Sequence, residues 1–187
     1  MGTPQDIASA LQRVESVLQR RPATGMQEDA PATAQWHGGL RVVTRHASGM
    51  QVTTDMPAEL GGSGDQVTPG WLFRAALASC AATSIALAAA KRGIPLGTLE
   101  VQATSRSDTR GLLGMKDTTG ASVCAGPQEM GLRVRIAAPG MAAECLRTLV
   151  ADACSCSPIP SAVQRNTPLE VLVDVGADAS AEAGVTA

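Results

Sequence analysis

Ile7, Leu11, Val14 and Leu18 recur at helical spacing between Thr3 and Pro22, and this single apolar stripe predicts an amphipathic helix. Thr3 can cap its start, Pro4 suits the first helical position, and Asp6 suits the positive end of the helix dipole. The polar stretch from Thr24 to Ala32 carries Gly and Pro and reads as a linker. From Thr33 to Thr54 the pattern changes to short runs of Val, Thr and Leu. These are broken at Gly38-Gly39 and Ser48-Gly49, turn signals that predict a three-stranded meander. Asp55 to Val67, with Pro57, Gly61-Gly62 and Gly64, reads as a loop.

Thr68-Pro69 repeats the cap-then-proline start signal, and helical composition continues to Lys91-Arg92, where Gly93 and Pro95 supply a stop. Leu99 to Ser105 and Leu132 to Ile136 are expected as strands, the second alternating apolar residues with Arg133 and Arg135 on its solvent face. A second helix is expected from Met141 to about Cys154, with Leu146, Leu149 and Val150 on its buried side, and Pro158 and Pro160 block its simple continuation. Leu169 to Val175 is expected as a last strand, and the Ala/Gly/Glu tail beyond Ala177 as disordered. The pattern divides the chain into an N-terminal helix and linker (1–32), an α+β domain (33–176) and a flexible tail (177–187).

Composition narrows the function classes. With a formal charge of -2 and scattered Lys and Arg, the 187-residue chain lacks the basic stripe of a nucleic-acid binder. Trp36, Trp71 and Phe73 are its only aromatic residues, which argues against stacking on bases or sugars. The most apolar run, Ala75 to Ala90, is Ala-rich, contains Ser79, Thr83 and Ser84, and is shorter than the roughly 20 residues of a membrane span. It is expected as a buried helix rather than a membrane anchor. The N-terminus shows no secretory pattern, so a cytoplasmic location is expected. Cys80, Cys124, Cys145, Cys154 and Cys156 form an odd, unevenly spaced set, unlike a secreted disulfide framework. Cys154-Ser155-Cys156 has no second pair at metal-site spacing, and neither a metal nor another cofactor is expected.

Cys80 falls well inside the long predicted helix, beyond the first turn where the dipole acts. Helical spacing places Leu72, Phe73, Ala76, Leu77, Ser84 and Leu87 near its face, a setting that suits an inert core thiol as well as a nucleophile. The surrounding sequence adds to this. The stretch from Thr68-Pro69-Gly70-Trp71 through Ala78-Ser79-Cys80 resembles the central-helix signature of the OsmC/Ohr family, in which a proline opens the helix and a peroxidatic cysteine follows at this distance. Met56-Pro57-Ala58-Glu59-Leu60-Gly61-Gly62 and Asp108-Thr109-Arg110-Gly111-Leu112-Leu113-Gly114 are similar to other family segments, and the element order agrees from about Thr33 to Val175.

The resemblance implies an OsmC-like fold in an intertwined homodimer with the two long helices at its centre and active sites at the subunit interface. It also implies a reaction. A thiolate of Cys80 attacks an organic hydroperoxide, a second cysteine converts the sulfenic acid to a disulfide, and a dithiol reductant restores both. Cys156, with Cys154 as the alternative, is the expected second thiol. Arg41, with Arg45 as the alternative, is expected to hold the thiolate. Three positions depart from the family pattern: Gly70 stands where peroxidases carry a glutamate, Ser157 stands where a cysteine usually precedes the proline, and the N-terminal helix is additional. The competing expectation is a non-peroxidatic relative that binds a small apolar or sulfur-containing ligand at the interface.

Overall fold

The computed structural model describes residues 2–165 and 167–176. Helix α1 (Pro4–Arg20) starts at the expected Thr3 cap, which the structure completes into a capping box: Thr3 Oγ1 accepts from Asp6 N–H and the Asp6 carboxylate accepts from Thr3 N–H. Its stripe is only partly covered: Ile7 and Leu11 are half-buried, whereas Val14 and Leu18 are exposed. Strands β1 (Thr33–Trp36), β2 (Val42–Arg45) and β3 (Gln51–Thr54) form the expected antiparallel meander. The register sets Trp36 opposite Val42 and Val42 opposite Thr54.

Helix α2 (Pro69–Lys91) organises the remainder. Thr68 Oγ1 caps it by accepting from Trp71 N–H at 3.1 Å, and Leu77, Ala81, Ile85 and Ala89 form a buried ladder at intervals of four residues. Small residues in that ladder let neighbouring elements approach the helix axis closely. Strands β4 (Thr98–Arg106) and β5 (Gln128–Ala137) pair antiparallel in a separate two-stranded sheet. β4 alternates exposed and half-buried positions along its whole length, so one face lies against α2. Arg133 and Arg135 stand on the outer face as expected, and Arg135 pairs with Glu100, its cross-strand neighbour, at 2.8 Å. The connection between the two strands holds one short helix, α3 (Thr109–Leu112), capped by Asp108.

Helix α4 (Ala143–Ser155) buries Leu146, Leu149 and Ala153, and its first two apolar residues close a core with Ala89 and Ile94. By length and apolar composition α2 can cross a bilayer, but here it is the element on which β4, α1, α4 and α5 (Pro158–Gln164) pack.

Two features differ from the sequence expectation. Pro158 does more than end α4: with its fixed φ it occupies the first position of a new helix, α5. Residues Leu169 to Val175, expected as a final strand, pair with no strand among the described residues. A strand forms only where a sheet edge meets it, and within the single chain this segment meets none, so Leu169 (87 % exposed) and Val175 (90 %) lie open. The expected disordered tail, 177–187, lies outside the described residues.

Candidate functional site

Cys80 lies at the centre of α2, on the flank that faces the corner between α4 and α5, and is half-buried. Ser157, at the N-terminal boundary of α5, is completely buried. A serine at that boundary ordinarily bonds its oxygen to the free N–H groups of the first helical turn. Ser157 makes no such bond. Its Oγ points inward, 3.2 Å from Cys80 Sγ, and accepts a hydrogen bond from Ser84 Oγ at 3.0 Å. The N–H of Ile159, left unserved by Ser157, donates instead to Cys80 Sγ at 3.5 Å. The sulfur has therefore taken the capping oxygen's place.

This exchange defines the chemistry at the sulfur. Because Ser84 donates into Ser157 Oγ, the Ser157 proton can be directed at Sγ, where it joins the Ile159 N–H. Against a thiolate, which can only accept, both contacts become donations to the sulfur, an arrangement suited to negative charge there. Shallow grooves open on either side along α2. One, of about 210 Å³, is lined by Leu77, Met130, Leu132, Pro160 and Val163. The other, of about 480 Å³, is lined by Ser84, Leu87, Lys91, Arg92, Asp152 and Cys156. A larger groove between β5 and α4, about 530 Å³, contains none of the candidate residues.

The other expected residues lie elsewhere. Cys156 ends α4 with its side chain exposed on the 480 Å³ groove, 3.7 Å from Ser155 Oγ. Cys154 is half-buried, and desolvation raises its thiol pKa. Neither sulfur is a hydrogen-bond partner of Cys80; the position against it belongs to Ser157. Among the described residues no group of three His, Cys, Asp or Glu side chains is gathered as for a metal.

Arg41, immediately before β2, is clamped by the loop that follows β3. Its Nη2 meets Asp65 Oδ1 at 2.5 Å, Ser63 Oγ at 2.8 Å and Asp55 Oδ2 at 3.4 Å. Asp55 is buried, and the Ser63 hydroxyl, helped by the Met56 N–H, lowers its pKa to about 2. Asp65 is lowered and Arg41 raised by contacts in the same cluster. Arg45, the alternative, reaches Gln35 on β1. Within the single chain, then, neither arginine is bound to Cys80. At Gly70 an added Cβ would meet only Arg74 Nη1 at 3.8 Å and Thr68 Oγ1 at 3.9 Å, so the site has room for a side chain and the glycine is not imposed by packing.

Neither the serine exchange nor the clamp follows from local sequence. Ser157 was legible as an unusual residue before Pro158, but its inward turn depends on Ser84, distant in sequence. The Asp55, Ser63 and Asp65 set carries no spacing motif.

Comparison with known proteins agrees with this architecture. A family model described as OsmC-like protein matches residues 62–172. No curated protein matches the chain. Among solved structures, an OsmC-like protein from Mycoplasma pneumoniae is similar with a TM-score of 0.61 and 18% identity, covering 74% of this chain and 89% of its own. An organic hydroperoxide resistance protein OsmC from Legionella pneumophila gives 0.54 and 22% identity over 75% of this chain and 93% of its own. An organic hydroperoxide resistance protein from Elizabethkingia anophelis, with thiocyanate bound, gives 0.52 and 23% identity over 75% and 91%. At these identities the likeness is one of fold.

Proposed function

The chain belongs to the OsmC-like protein family, and from that premise we propose that it is a soluble, cytoplasmic, thiol-dependent peroxidase that reduces organic hydroperoxides at Cys80 in oxidative-stress defence. The observation that carries the reading is a half-buried sulfur that accepts from Ile159 N–H and lies 3.2 Å from the Ser157 hydroxyl, which would donate to it once Cys80 is a thiolate. In this reading Cys80 Sγ, as thiolate, attacks the outer oxygen of the hydroperoxide; the O–O bond breaks and the alkoxide leaves to take a proton. The mainly apolar groove beside Leu77 suits the organic part of such a substrate. The working form is a homodimer. Exposed Trp71, Phe73 and Leu87 on α2, with the open apolar segment 169–175, form surface that a second copy would cover. Arg41 acts from the partner subunit, its clamp fixing the guanidinium through Nη2 alone. The fold shared with organic hydroperoxide resistance proteins makes cumene hydroperoxide the first substrate to test.

The test is hydroperoxide consumption by reduced protein with a thiol donor, with Cys80→Ser as the control. Turnover that disappears in Cys80→Ser supports the reading. A second reading, a non-peroxidatic relative binding a small sulfur-containing or apolar ligand, is favoured by Gly70 and by the acidic partners that already engage Arg41. A reduced wild-type protein that consumes no hydroperoxide selects this alternative.

A further inference from the structure

We propose that Cys80, once oxidised, is resolved by a thiol from outside the chain, through a mixed disulfide, with a low-molecular-weight monothiol sufficient as co-substrate. The inference rests on the peroxidase reading of Cys80 and specifies its second half-reaction.

Three observations carry it. The group in contact with Cys80 Sγ is a hydroxyl, Ser157 Oγ at 3.2 Å, which cannot form a disulfide. The segment that bears it is tied down: Ser157 N–H bonds Cys154 O at 3.2 Å, Ser161 N–H bonds Ser157 O at 2.9 Å, and Pro158 and buried Pro160 fix the backbone between. Cys156 precedes Ser157 by one residue and is turned to solvent, its own N–H bonded to Ala153 O at 3.3 Å. Bringing Cys156 onto Cys80 requires the α4–α5 corner to rotate. That rotation takes the completely buried Ser157 out of its seat and breaks the Ser84 and Ile159 hydrogen bonds with it. Cys154 lies on the preceding turn, half-buried, and desolvation raises its thiol pKa, which disfavours the nucleophilic thiolate.

The chemistry then runs in three steps. Cys80–S⁻ and ROOH give Cys80–SOH and RO⁻, which is protonated to ROH. An external thiol R′SH attacks the sulfenic sulfur, forming Cys80–S–S–R′ and releasing water. A second R′SH attacks the R′ sulfur, giving R′S–SR′ and returning Cys80–SH. The protein sulfur accepts one oxygen atom, and two external thiols supply the two electrons.

The experiment treats reduced full-length protein, freed of small thiols, with one equivalent of cumene hydroperoxide, then maps its cysteine peptides by mass spectrometry with and without glutathione as the probe monothiol. The expected result is dimedone-reactive sulfenic acid on Cys80 without glutathione, and a glutathione adduct on Cys80 with it. In Ser157→Cys, oxidation should instead join Cys80 to the introduced thiol as a disulfide and leave no dimedone adduct. A Cys80–Cys156 or Cys80–Cys154 disulfide in the wild-type protein overturns this inference while leaving the peroxidase reading intact. A Cys80 that stays reduced under hydroperoxide overturns both.

Discussion

Ser157→Ala tests whether the buried hydroxyl holds the α4–α5 corner against α2. The substitution removes one oxygen atom and with it the contacts to Ser84 Oγ at 3.0 Å and Cys80 Sγ at 3.2 Å. An intramolecular hydrogen bond is worth about 0.5–1.5 kcal/mol net, and a stranded buried donor costs about 1–3 kcal/mol. Ser84 lines an open groove, so water can replace its lost acceptor, and the contact to sulfur is the weaker of the two. The expected destabilisation is therefore about 1–2 kcal/mol, toward the lower end of those ranges. For a chain of this size that corresponds to a Tm lowered by about 2–8 °C. Thermal and urea unfolding of the reduced protein, followed by circular dichroism, measure it, with an unchanged urea slope showing that the same surface unfolds. Ser155→Ala, an exposed serine bonded only within its own helix and to Cys156, is the control and should change stability by less than about 0.5 kcal/mol. A Ser157→Ala protein as stable as the wild type refutes the argument, because the hydroxyl chain would then contribute nothing beyond what a methyl group supplies.

Gly62→Ala should displace the loop that clamps Arg41, since the added Cβ would lie 1.8 Å from Met56 O and 2.9 Å from Asp55 Oδ1; lowered thermal stability checks it, and an unaffected variant refutes it. Asp55 has a folded-state pKa of about 2 against about 3.9 unfolded, so its ionised form favours the native state. That contribution is complete above the unfolded value and is lost as pH falls through 2, so the stability difference between wild type and Asp55→Asn should narrow between about pH 5 and pH 2, and a constant difference would refute the assignment. Desolvation raises the Cys154 pKa, so iodoacetamide under native conditions near neutral pH should alkylate exposed Cys124 and Cys145 before Cys154, as read by peptide mapping.

The legible part of the fold was the part written in local signals. Thr3-Pro4 and Thr68-Pro69 start α1 and α2 where cap-then-proline pairs predict, and the Gly38-Gly39 and Ser48-Gly49 turns delimit the meander. Arg133 and Arg135 alternate outward because a strand has period two. A strand is also expected at Leu169 to Val175, but a strand needs an edge to pair with as well as a suitable sequence. At the site, spacing located Cys80 on its helix, yet the group that meets its sulfur comes from a corner 77 residues away, and no local pattern records which way Ser157 turns. The Arg41 clamp likewise joins residues 14 to 24 positions apart across a glycine-rich loop.

On the peroxidase reading, the single chain would supply only one side of the reaction centre, and this division bears on how Gly70 would be tolerated. The family resemblance implies that an acid at that position would pair with the arginine and orient it. Here Asp55, Ser63 and Asp65 fix Arg41 from its own loop, so its orientation does not depend on the start of α2. If that clamp does the work of the missing acid, Gly70 is a vacancy without consequence, and its open surroundings leave space for the acid to be restored. Gly70→Glu then tests whether the clamp suffices. It should leave hydroperoxide turnover essentially unchanged if the clamp suffices, and raise it sharply if Arg41 is out of position for want of an acid. A chain whose turnover is absent in both forms, with Cys80 reduced and the fold intact, belongs to the ligand-binding reading instead.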